Sequence, residues 1–241
     1  MRSFLTLSAA ALLAIPAVVH AQGPRHPTMR DSITGPLRGY GGAALSGAAP
    51  VGVFGDYVQG GIGGAGHLGW NVIPGGALSI RGDLGIMIYG HERKRIPFPT
   101  APRVSLDLTT TNNIVTYGVG PQLMATGGAL RPYVNGFVGG AYFYTESALA
   151  GTGNNGESFA RSENYHDHVL SYGGGGGVLI PVSVGKNPVS IDVGARYVHN
   201  GTVRYLREGD IQDDGNTVIM NPTVSPANFV QFTLGVSVGI R

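Results

Sequence analysis

Residues 230–240 read VQFTLGVSVGI. Val230, Phe232, Leu234, Val236, Val238 and Ile240 form one row, and Gln231, Thr233, Gly235, Ser237 and Gly239 form the other. Successive side chains of a strand point to opposite faces, so this is a strand with one apolar face and one polar or minimal face. The pattern recurs upstream. Val189, Ile191, Val193, Ala195 and Tyr197 alternate with Ser190, Asp192, Gly194 and Arg196. Leu78, Ile80, Leu84, Ile86 and Ile88 oppose Ser79, Arg81, Asp83, Gly85 and Met87. Val115, Tyr117, Val119 and Leu123 oppose Thr116, Gly118, Gly120 and Gln122. Noisier glycine-rich stretches at 60–72, 131–145 and 168–181, with a weaker one at 38–46, complete a set of eight expected strands.

The connectors are as informative as the strands. They cover 47–59, 73–76, 91–112, 126–130, 146–167, 182–187 and 201–227, alternately long and short. The short ones hold Gly, Pro or Asn, as tight turns require. The long ones carry most of the charge, as in His91-Glu92-Arg93-Lys94-Arg95. Short turns at one end and long loops at the other are the pattern of a transmembrane β-barrel. The clear strands have the roughly 9–11 residues that cross a bilayer when tilted. The expected fold is therefore all-β: an eight-stranded antiparallel transmembrane up-and-down barrel over residues 37–241.

Composition agrees. Of 241 residues, 41 are glycine, 12% are charged and none is cysteine. The low charge and 42% hydrophobic content exclude a disordered chain, and the lack of cysteine excludes a disulfide scaffold. Sixteen basic and 14 acidic residues nearly cancel, so no basic surface for nucleic acid is expected. A soluble secreted β-barrel binding protein is the competing fold. Its outer face would need Lys and Glu, whereas here the second row is Gly, Ser, Thr and Gln. Away from strand ends the only charges are Arg81, Asp83, Asp192 and Arg196, all on the polar row. An eight-stranded barrel is just wide enough to be filled by side chains. These four charges, with His67, Asn71, Gln122 and Gln231, are expected to form a polar network in its lumen. Aromatics near strand ends suggest two interfacial girdles: Trp70 and Tyr133 by short turns, and Tyr89, Tyr142, Tyr144, Tyr197 and Phe229 by long loops.

Residues 1–21, MRSFLTLSAAALLAIPAVVHA, have a basic start, an apolar middle and small residues before Gln22. They are expected to be a secretory signal peptide cleaved after Ala21. Residues 22–36, with three prolines, are expected to be a flexible periplasmic leader.

Together these features resemble the small bacterial outer-membrane β-barrel superfamily that includes the OmpA membrane domain, OmpX and OmpW. The likeness covers 37–241 and rests on pattern. It implies a bacterial outer-membrane location, lipid and lipopolysaccharide as surroundings, insertion by the barrel-assembly machinery, and an extracellular ligand for the long loops. One departure is the ending Gly239-Ile240-Arg241, where such barrels usually finish in an aromatic residue. The implied role is structural or surface-interacting and non-enzymatic, with no cofactor and no metal. A narrow channel or lateral conduit for small apolar molecules is the alternative. Enzymatic members give two further tests. A lipid A deacylase pairs His with Ser on the outer wall; here His199 is followed two positions on by Gly201, so the nucleophile is missing. A rim hydrolase or cation site would need His166, Asp167 and His168 to meet Asp210, Asp213 and Asp214.

Overall fold

The computed structural model describes residues 37–98, 101–151, 158–183, 185, 187–207, 210–213 and 218–241. The expected signal peptide and leader lie outside them. Eight strands close a barrel: β1 (Gly39–Pro50), β2 (Gly61–Asn71), β3 (Leu78–Phe98), β4 (Ala101–Met124), β5 (Arg131–Gly151), β6 (Ser158–Ser183), β7 (Val189–Asn200) and β12 (Phe229–Ile240). The order around the ring is β1-β12-β7-β6-β5-β4-β3-β2, all neighbours antiparallel. This is the up-and-down ring that the resemblance implies, and it closes the wall up to the height of the shorter strands. No described helix is long and apolar enough to cross a membrane.

The strands come in two lengths. β7, β12, β1 and β2 have 11 or 12 residues. β3 to β6 have 21, 24, 21 and 26. The first set is sized to cross a bilayer and stop. The second continues for about ten residues more, roughly 30 Å along the strand at 3.3 Å per residue. Much of 91–112 and 146–167, expected as loops, is therefore strand. Pairing of β3 with β4 runs up to Phe98 opposite Ala101, and β4 with β5 to Leu106 opposite Gly151. Thr109-Thr110-Thr111 supports it with β-branched side chains.

A bulge between Ile88 and Gly90 resets the alternation on β3. Gly90, placed toward lipid by simple alternation, instead faces Asn112: a β-carbon there would lie 2.7 Å from Asn112 Nδ2.

The two other upper connectors are also structured. Between β1 and β2 lies a one-turn helix, α1 (Val53–Tyr57), whose Phe54 is fully buried. Between β7 and β12 lie two small ribbons, β8 (Thr202–Tyr205) with β11 (Thr223–Pro226), and β9 (Ile211–Asp213) with β10 (Val218–Met220).

Candidate functional site

The wall has opposite chemistry on its two faces. Leu45, Leu68, Leu84, Val119, Val138, Leu170, Val193 and Leu234, one from each barrel strand, all lie exposed on the outside; Leu45 is 76% and Leu68 70% accessible. The inward row of the same strands holds Ser79, Gln122, Asp192 and Gln231, all buried. An apolar exterior around a polar interior reverses the soluble arrangement. This is the wall of a transmembrane barrel.

Inside, the lower half of the lumen is a charge network. Asp83 Oδ1 accepts from Arg81 Nη2 at 2.9 Å and Nε at 3.0 Å, and lies 3.3 Å from Arg196 Nη1. Arg81 Nη1 also donates to Gln122 Oε1 at 2.9 Å, and Arg196 Nε to Gln231 Oε1 at 2.7 Å. Asp83 thus holds two guanidiniums, and each guanidinium has an amide oxygen besides. Asp192 has different partners. Tyr133 Oη donates to its Oδ1 at 2.7 Å, and His67 Nε2 lies 4.0 Å from its Oδ2. His67 also reaches Ser237 Oγ at 3.5 Å and packs against the Tyr40 ring, whose hydroxyl meets Ser79 Oγ at 3.0 Å. Two positive and two negative groups balance, as buried ions require.

Inward glycines make room for this network. A β-carbon on Gly194 would lie 2.7 Å from Tyr133 Oη, and one on Gly177 2.6 Å from it. Gly42 does the same for His67, at 2.6 Å from its Cε1.

Of the eight expected lumen residues, seven lie in or directly beside this cluster. Asn71 does not. It sits at the lower rim, where Nδ2 donates to the Leu37 carbonyl at 2.8 Å. Tyr133 joins the cluster although it was expected at an interface. Its row includes Asn135 and Phe137, so its ring points inward. Tyr40, Ser79 and Ser237 are the members that sequence reasoning missed, though Ser79 and Ser237 lie on its polar rows.

The upper half of the lumen is apolar. Phe54, brought in by α1, meets Tyr205 edge-on at 5.2 Å between ring centres, Tyr89 at 5.7 Å and Phe143 at 6.5 Å. Ile114, Val198, Val203, Ala227 and Phe229 complete the plug. Polar ends are satisfied locally: Tyr89 Oη donates to the Leu206 carbonyl at 3.2 Å, and Tyr205 Oη meets Ser225 Oγ at 2.9 Å. Tyr89 and Phe229, expected in the outer girdle, are therefore plug residues. Both share the inward phase of Arg81 and Gln231, so neither can face lipid. Tyr205 and Leu206, within the long connector 201–227, are 1% and 0% accessible.

The remaining aromatics do lie outside. Trp70 is 66% and Tyr197 44% accessible. Tyr142 and Tyr144 stack at 5.6 Å, beside His166 and His168. Tyr117 Oη is 2.7 Å from His168 Nε2, and His199 packs on Tyr172 at 4.7 Å.

The described rim residues have separate partners. Asp167 accepts from the Arg204 amide at 2.8 Å, and Asp210 is held by Arg207 at 3.1 Å. The Asp213 side chain and Asp214 lie outside the described residues. Among the described residues no group of three acidic or histidine side chains could hold a metal ion.

No protein-family model matches this sequence, and neither does any curated protein. Among solved structures, the chain is similar to Neisserial surface protein A (NspA), at 16% identity over 86% of this chain and 98% of that one, TM-score 0.41. It is similar to Ail, the attachment invasion locus protein of Yersinia pestis, at 13% identity over 86% and 99%, TM-score 0.41. A major outer membrane protein from Thermus thermophilus gives 12% identity over 83% and 99%, TM-score 0.43.

Proposed function

We propose that this chain is an integral outer-membrane protein whose barrel is a closed support and whose outer sheet contacts partners outside the cell, without catalysis and without conduction. The observation that carries the reading is the doubly blocked lumen inside an apolar wall. Two cavities in the lower half have volumes of about 20 and 30 Å³. A single water needs roughly 10–15 Å³ on this measure, so there is room for isolated waters and no file of them. Above these cavities, Phe54 and Tyr205 occlude the axis.

The functional surface is then the part that projects. The β3–β4 segment 91–112 carries four basic and two acidic residues, and the β5–β6 segment 146–167 one basic and four acidic. Arg93, Lys94 and Arg95 have well-exposed side chains. A rigid sheet that is basic on one side and acidic on the other suits a partner of matching polarity, with lipopolysaccharide phosphates as the anionic groups nearest to it. Export through a signal peptide and insertion by the barrel-assembly machinery belong to the same reading.

Conductance in planar bilayers tests it. No steady current above the lipid background is expected, and a steady open state would overturn the closed support. Detergent gels test the membrane fold separately: unheated protein is expected to migrate differently from boiled protein.

A further inference from the structure

The two lengths of strand leave a step in the wall. β2 ends its pairing where Ile62 lies opposite Ile88, while β3 continues to Phe98. Above that point, β3 has no barrel strand on its β2 side among the described residues. The corresponding step on the other side is filled. There β6 rises above Ser171, its last partner on β7 being Asn200. The chain after β7 folds onto it, with Gly201 N donating to the Leu170 carbonyl at 3.2 Å and Arg204 N to Asp167. One shoulder is covered and the other is open.

The open shoulder is a cavity of about 830 Å³. That lies within the roughly 300–1,000 Å³ of small-molecule sites. Its composition changes with height. The lowest lining side chains, Ile62 and Ile88, are exposed members of the apolar outer wall. The higher ones include the polar Gln59, His91 and Asn112 beside Val58. The inner end is closed by Tyr89, whose hydroxyl is already committed to Leu206. Among the described residues, the charged groups from the plug side are Arg207 and Asp210, and they neutralise each other in place. Arg207 grips Asp210 through Nε and Nη2, both at 3.1 Å, and its guanidinium lies 4.4 Å over the Tyr57 ring. A fixed ion pair with no net charge selects neither an anion nor a cation. It does present hydrogen-bonding groups in fixed positions.

We infer that this notch binds a single-chain amphiphile with an uncharged, hydrogen-bonding head, taken sideways from the outer leaflet. The chain lies along Ile62 and Ile88, and the head sits among Gln59, Asn112 and the Arg207–Asp210 pair. The inference rests on the membrane placement proposed above.

The probe is monododecanoylglycerol, titrated into the full barrel in phosphatidylcholine nanodiscs and followed by amide NMR. Saturable shifts confined to Gly60, Gly61 and Gly90 are expected. Dodecanoate and dodecylammonium are expected to bind at least tenfold more weakly. Gly60→Trp is the blocking variant. A β-carbon at Gly60 would touch only the Ala48 carbonyl, at 3.4 Å, and Gly60 is one of the residues that line the notch. It is expected to lower the affinity at least tenfold, while Gly60→Ala leaves it within twofold. Shifts spread evenly over the apolar wall, equal binding of the charged probes, or unchanged binding in a folded Gly60→Trp protein would each overturn the site. The heat-dependent gel shift of the same samples separates this from failure of the membrane reading. A barrel that inserts and shifts but does not saturate refutes only the notch, whereas one that does not insert refutes the placement.

Discussion

The lower and upper halves of the lumen block the same barrel by opposite physics. Below, the blocking network is polar, comes from barrel strands, and is held because a buried ion without a partner is costly. Above, the plug is apolar and partly imported: Phe54 arrives on α1 and Tyr205 on β8, and both are held because burying aromatic area is favourable. The lower half belongs to the wall, so it cannot be removed without disturbing the barrel. The upper half belongs partly to connectors, so it can loosen while the barrel stays closed.

The largest effect is expected from Asp83→Asn. It leaves Arg81 and Arg196 buried without their shared carboxylate, a change that typically costs about 3–5 kcal/mol. Urea unfolding in detergent micelles, followed by the heat-dependent gel shift, measures it. The double variant Asp83→Asn with Arg81→Met restores the charge balance and is expected to lose less than the single one. If the double loses as much as the two singles added together, Asp83 and Arg81 are not coupled.

Phe54→Ala should cost about 3 kcal/mol by the lost burial of one large aromatic, but in a different place. Protease cleavage within 51–60 and 201–228 is expected to rise, with the gel shift of the barrel unchanged. Loss of the shift together with the cleavage would mean that the two halves unfold as one.

The sequence made these halves legible to different degrees, and the reason is physical. Arg81, Asp83, Asp192 and Arg196 could be placed because strand alternation assigns each residue a face, and charges on the small-residue row have only the lumen to occupy. The ring order followed from the alternation of short and long connectors. The plug was harder. Phe54 and Tyr205 lie in connectors, where no period exists to say which way a side chain points. Tyr89 and Phe229 are instructive because the signal was present. Both stand on the polar row of a well-phased strand, as does Met87. On β3 and β12 the large apolar residues of the lumen row, Met87, Tyr89 and Phe229, lie toward the upper end and mark the depth at which the charge network gives way to an apolar plug. Position near a strand end suggested a girdle, and phase contradicted it. The heights of β3 to β6 were hidden because a sheet standing in water on both sides need not show alternation.

Gly194→Val tests the tightness of the lower half. The new β-carbon would fall 2.7 Å from Tyr133 Oη and 3.0 Å from Thr233 Oγ1. Overpacking of this kind costs about 1–3 kcal/mol. Here it should also break the bond from Tyr133 to Asp192, visible as a changed tyrosine hydroxyl signal. Gly151→Val on the outer sheet, where a β-carbon meets nothing within 4 Å, is expected to change stability little.

The smallest effect comes from a second copy of the Asp83 motif, in which the carboxylate is covered but both guanidiniums stand in water. On the outer hairpin Asp107 accepts from Arg93 Nη2 at 2.7 Å and Arg95 Nε at 3.4 Å, again one carboxylate between two guanidiniums. Here the arginine side chains are 64% and 68% accessible, against 11% for Arg81 and Arg196. Exposed pairs lose much of their strength to solvent and salt, so Asp107→Asn should leave the global unfolding midpoint where it is. What the pair does is local. The hydrogen bond from Arg93 holds the Asp107 carboxyl below its ordinary value of 3.8. A group lowered in the folded state stabilises fully above its unfolded value, and that contribution is lost as the pH falls through the lower folded value. The protection of the amides at residues 106–110, relative to their intrinsic exchange rate, is therefore expected to hold at pH 4 and to fall only below it, with the Asp107 carboxyl carbon titrating in the same range by NMR. In Asp107→Asn the exchange should already be fast at neutral pH. Equal exchange in the two proteins would show that backbone pairing alone holds the hairpin. The two-arginine grip would then matter only where water is excluded, as it is at Asp83.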